Sequence, residues 1–76
     1  MNGNIHIGKL IHKILQQNER SVSWLAKKVY CDPSALCKML KREDINTNLL
    51  LKISKVLNHD FFYYYSNAIN NSENAN

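Results

Sequence analysis

Apolar residues recur along this chain with a helical period until the pattern breaks into a run of aromatics. Ile7, Leu10, Ile11, Ile14 and Leu15 follow i, i+3, i+4, i+7, i+8 and form one broad stripe. Lys9, His12, Lys13, Gln16 and Gln17 lie on the other side, so a first helix is predicted over 7–18. Ser21 opens a second helix, because its hydroxyl can accept from first-turn N–H groups. That helix carries Leu25, Ala26 and Val29 and reaches residue 29 or 30. Asp32 followed by Pro33 starts a third helix over 33–41: the carboxylate caps orphan donors, and proline has no donor to lose there. Leu36, Met39 and Leu40 form its apolar face.

The segment 41–46 is polar except for Ile45, which can anchor it to a core. Asn46 or Thr47 caps a fourth helix with Leu49, Leu50, Ile53, Val56 and Leu57 as its inward stripe. Asn58 ends it, since asparagine tolerates the left-handed conformation that terminates helices. The run Phe61–Tyr65 has high strand propensity, but a strand here would have no partner. It is read as a short fifth helix capped by Asp60, with Phe61, Tyr64 and Tyr65 inward and Phe62 and Tyr63 outward. From Ser66 the sequence SNAINNSENAN lacks apolar content, which predicts a disordered polar tail over 66–76. The expected fold is all-α, a compact five-helix bundle in one domain over 1–65.

A length of 76 residues allows one domain and a small core. It leaves no room for a sensor domain, so no small-molecule effector is implied. No apolar run approaches a membrane span, and MNGNIHIGKL has no charged segment followed by an apolar one. A cytoplasmic protein is expected. Cys31 and Cys37 are six positions apart, about 9 Å along a helix, too far to bridge. With His6, His12 and His59 they form no metal-ligand spacing, so reduced thiols and no metal or cofactor are expected. No partnered nucleophile or carboxylate pair suggests catalysis, and no enzyme activity is expected.

Charge changes the picture. All ten Lys and Arg lie between Lys9 and Lys55, where only Glu19, Asp32, Glu43 and Asp44 oppose them. The local excess of six exceeds the net +4 of the whole chain and favours a polyanion. Within this basic body, Ser21 to Leu40 has the outline of a helix-turn-helix, with Tyr30 and Cys31 as the turn. Ala26 is small enough to let the two helices cross closely. The second of these helices fits the major groove of duplex DNA. Ser34, Ala35 and Lys38 on its outer face suit base edges. Ser21 and Ser23 on one side, and Lys41, Arg42, Asn46 and Asn48 on the other, suit phosphates. Lys27 and Lys28 add positive field, and Trp24 is read as a core or edge aromatic. Exposed lysines on any helix are ordinarily just solvated. It is the order and spacing of these signals within twenty residues that point to DNA.

The WLAKKV run, the capped DPSALCKML helix, NTNLLLKISKVLN and the closing HDFF resemble the phage-repressor family of helix-turn-helix proteins, the lambda-repressor-like or Xre/Cro class. The resemblance covers 7–65. It implies a transcriptional regulator, most often a repressor, that binds operator DNA, commonly as a dimer on a palindromic site. Carried over by position, Pro33, Ser34 and Lys38 fall at base-contacting positions, Ser21 at a phosphate-contacting helix start, and Arg42 in a phosphate-contacting loop. Tyr30 stands where the family typically places a left-handed glycine, and the glutamines common at the base-reading positions are missing. By analogy with the family's fifth helix, Phe62 and Tyr63 are expected to form a homodimer interface. The competing reading is a protein-interaction module of the same fold, an antitoxin-like partner that reads little DNA, in which Tyr30, Phe62 and Tyr63 matter more than Lys38.

Overall fold

The computed structural model describes residues 5–74, with side chains as far as 71. It is all-helical, with α1 Ile7–Gln17, α2 Val22–Lys28, α3 Pro33–Leu40, α4 Thr47–Leu57 and α5 Tyr63–Asn74. Each start follows from a side chain that replaces missing backbone partners. Ser21 Oγ accepts from Trp24 N (3.1 Å), Asp32 Oδ2 from Ala35 N (3.1 Å), and Asn46 Oδ1 from Asn48 N (2.7 Å) and Leu49 N (3.3 Å).

Three helix ends share one device. Glu19, Tyr30 and Asn58 adopt φ of 56°, 58° and 51°, just past α1, α2 and α4. In each case the next amide turns back into the helix: Arg20 N to Leu15 O, Cys31 N to Ala26 O, and His59 N to Ser54 O. This is the Schellman closure, in which a left-handed residue lets orphan carbonyls be satisfied. Glycine usually takes that position; none of the three is glycine here.

The broad stripes of the sequence narrow in the core. Ile7, Ile11 and Leu15 of α1, Leu25 and Ala26 of α2, Leu36 and Leu40 of α3, and Leu50, Ile53 and Leu57 of α4 are buried together with Val29 and Phe61. Leu10, Ile14, Met39, Leu49 and Val56 flank this core and are only partly buried, as is Ile45, which anchors the loop before α4. Each large apolar side chain of this set contributes about 2 kcal/mol by leaving water. α3 packs on both α2 and α1, and α2 also touches α4.

The contact between α1 and α3 rests on residues whose role the apolar pattern does not reveal. A Cβ on Gly8 would meet the backbone of Leu40, so only glycine allows this approach. Beside it, Ile7 N donates to Glu43 O (3.3 Å). His6 caps α1, its Nδ1 accepting from Lys9 N at 3.2 Å, while its Nε2 lies 3.1 Å from Lys41 O. Nδ1 is the acceptor, so the neutral ring carries its proton on Nε2 and donates it to the Lys41 carbonyl. Three consecutive residues thereby hold the C-terminal end of α3.

Three expectations for the C-terminus are corrected. Phe61 and Phe62 form a turn, and α5 begins at Tyr63. Asp60 Oδ1 accepts from both Phe62 N (3.0 Å) and Tyr63 N (3.2 Å). Once a turn is nucleated, each further residue costs little. The backbone is therefore helical over 66–74, where a disordered tail was expected; residues 75 and 76 lie outside the described residues. The later start also turns Phe62, expected outward, into a half-buried position against the core. Among the described residues, no helix is long and apolar enough to cross a membrane.

Candidate nucleic-acid interface

α3 divides sharply into two faces. Leu36 and Leu40 are almost fully buried, whereas Pro33, Ser34, Ala35, Cys37 and Lys38 are exposed along the helix. The base-contacting candidates Pro33, Ser34, Ala35 and Lys38 therefore share one free surface. Lys41, the C-cap of α3, extends it. The helix is aimed from both ends. Asp32 fixes its start through Ala35 N, and His6, Ile7 and Gly8 hold its end.

Charge along this surface is uneven. Asp32 places an exposed carboxylate at the leading end, and the cations follow at Lys38 and Lys41. Attraction for an anion therefore increases toward the C-terminal half of α3. No Asp or Glu occurs within α1, α2, α3 or α4, which between them carry seven lysines. The acids opposing the basic residues, Glu19, Asp32, Glu43 and Asp44, sit in the connections, where Asp32 serves as a cap.

The phosphate-contacting candidates are placed less uniformly. Ser21 and Ser23 are exposed at the start of α2, but the Ser21 oxygen is engaged with Trp24 N, so only its hydroxyl proton is free to donate. Asn46 is in the same position: its oxygen caps α4, leaving its NH₂ group. Asn48 is exposed. Arg42 is exposed too, but it lines a hollow with Glu43 and Asp44, beside Ile5, Tyr65 and Ile69, so its charge is locally opposed.

The turn between α2 and α3 carries the most exposed aromatic. Tyr30 is 94% exposed while its backbone is left-handed. That conformation costs a non-glycine residue about 1–2 kcal/mol. Of the two dimer candidates, Tyr63 is exposed but Phe62 is not free: it packs on the core and lines a hollow with Ile45, Leu50 and Tyr65.

The remaining reactive side chains have local roles or stand apart. His6 is a helix cap, and His59 Nε2 shares a 2.8 Å hydrogen bond with the Tyr64 hydroxyl within a stack that includes Phe61. Cys31 and Cys37 are free thiols. Among the described residues, no three His, Cys, Asp or Glu side chains converge on a point where a metal ion could sit.

Sequence reasoning missed Gly8, His6 and the surroundings of Trp24. A glycine inside a helical pattern was a readable signal of close approach. His6 and the neighbours of Trp24 left no comparable mark. No protein-family model matches the chain, and no match is found among curated proteins or among solved structures.

Proposed function

We propose that α2, the turn at Tyr30 and α3 act as a helix-turn-helix that inserts α3 into the major groove of duplex DNA. In this reading the protein is a lambda-repressor-like transcriptional regulator, a repressor that occupies an operator and excludes polymerase. The observation that carries the reading is the two-faced α3, buried along Leu36 and Leu40 and free along Pro33, Ser34, Ala35 and Lys38. Support also comes from Tyr30, whose left-handed backbone has the conformation this turn needs.

Ser34, Ala35 and Lys38 take base edges, with Pro33 in apolar contact. Lys41, Ser21, Ser23 and Asn48 take phosphates, with the Asn46 NH₂ beside them and Arg42 a weaker member because of its acidic neighbours. A two-fold homodimer through Tyr63 would place two copies of α3 about 34 Å apart, one turn of DNA. The test is binding to random duplex against salt: affinity should fall steeply as salt rises, as counterion release requires. No binding at low salt rejects the reading and favours a protein-interaction module, with exposed Tyr30 as its leading contact.

A further inference from the structure

Arg20, Trp24 and Lys28 are spaced four residues apart, and their side chains meet. The Arg20 guanidinium carbon lies 4.7 Å from the centroid of the Trp24 ring, and Lys28 Nζ lies 5.7 Å from it. Both distances are within the range of cation–π attraction. The indole, half-buried against the core, thus gathers two like charges on the exposed side of α2. Lys27 is adjacent, and α2 itself contains no acid; the one carboxylate next to Arg20 in sequence is Glu19.

Two cations held near one ring repel each other, and an anion between or beside them relieves that repulsion. Trp24 lowers the entropy cost of presenting them, because the ring already orders both long side chains. The guanidinium keeps a planar set of donors suited to phosphate oxygens, the ammonium adds a point charge, and the indole N–H is a further donor.

We propose that Arg20, Trp24 and Lys28 form a phosphate clamp that grips the DNA backbone beside the groove occupied by α3. The proposal rests on the duplex-binding reading above and extends its footprint to Arg20, just before α2, and to Trp24 and Lys28 of α2. Duplex DNA is the partner, because the clamp adjoins Ser21 and Ser23 in sequence and its charge matches a phosphate chain.

Trp24 is the single tryptophan of the chain, so its emission reports this site alone. The experiment titrates the full chain and its Arg20→Gln, Lys28→Gln and double variants with one labelled random duplex over a range of salt. Both side chains are exposed, and the backbone bond from Arg20 N to Leu15 O does not depend on the side chain. Circular dichroism checks that each variant is folded. The slope of log affinity against log salt should shrink by about 0.9 in each single variant and about 1.8 in the double. Trp24 emission of the unmutated chain should change at saturating duplex. Loss of ring stacking alone would alter stability without altering the slope. Unmutated slopes in both folded single variants, or Trp24 emission that duplex leaves unchanged, overturn the clamp while the binding reading stands. If the unmutated chain binds no duplex at low salt, both fall together.

Discussion

Gly8 of α1 lies so close to Leu40 of α3 that a Cβ on Gly8 would collide with the Leu40 carbonyl oxygen and carbonyl carbon. Both partners are backbone, so neither can rotate away. Gly8→Ala should therefore push α1 off the end of α3. Overpacking costs about 3 kcal/mol, and the better helix propensity of alanine returns roughly 1 kcal/mol, for a net loss of about 2 kcal/mol. A urea midpoint measures it; a variant as stable as the parent would mean that the helices separate at no cost.

Tyr30 presents the opposite case, a residue whose replacement by glycine should help. Its side chain is exposed and its φ of 58° is strained. Tyr30→Gly relieves the strain but adds freedom to the unfolded chain, leaving a gain of about 0.5–1 kcal/mol. Thermal unfolding would register this as a raised midpoint. A lowered midpoint would show that the tyrosine ring makes a contact that outweighs its strain.

The charges along α3 predict opposite effects at its two ends. Asp32→Asn keeps a cap of equal quality, so stability should stay within about 0.5 kcal/mol. It removes a negative charge from the end that, in the proposed reading, leads into the groove, so affinity for every duplex should rise. Lys38→Ala should instead lose about 1–3 kcal/mol of discrimination at one base pair. Selection from a random duplex pool distinguishes the two. Equal losses on every sequence for Lys38→Ala would remove it from the base-reading set.

Alkaline pH acts on Tyr65. Burial, and secondarily the charge of Asp44, raise its phenol above the ordinary value of 10.0. The folded chain therefore holds this proton more tightly than the unfolded chain does. The resulting stability is fully present below about pH 10 and is lost as pH rises through the folded value. Tyr65→Phe should flatten the fall in stability in this alkaline window. Parallel curves for parent and variant would show that the phenol takes no part.

Association should depend on Tyr63 rather than on its neighbour. Sedimentation of Tyr63→Ser should give a lower mass than the parent if this exposed ring carries the dimer. Phe62→Ser should mainly unfold the chain, because that ring packs on the core. An unchanged mass for Tyr63→Ser rejects the aromatic interface.

Much of this fold was legible in order along the chain. The caps at Ser21, Asp32 and Asn46, the proline at 33 and the stripes of α1 and α4 act over one or two turns, so their physics is contained in neighbouring residues. The same holds for the outer face of α3, because burying Leu36 and Leu40 leaves Ser34, Ala35 and Lys38 outside. Tyr30 was placed at the turn by its position, and its left-handed φ follows from the closure between Cys31 N and Ala26 O.

Tertiary structure decided the rest. His6 meets Lys41 across 35 positions, and Gly8 meets Leu40; no periodicity links segments so far apart. The direction of Phe62 depended on where α5 begins, which Asp60 and the burial of Phe61 set together. The continuation of α5 through Asn74 was hidden for the same reason, because composition measures what a segment can bury and not what nucleates it. The sequence by itself determined the helices and the exposed face of α3. Contacts between distant segments determined how that face is held, because packing distances depend on which backbones meet.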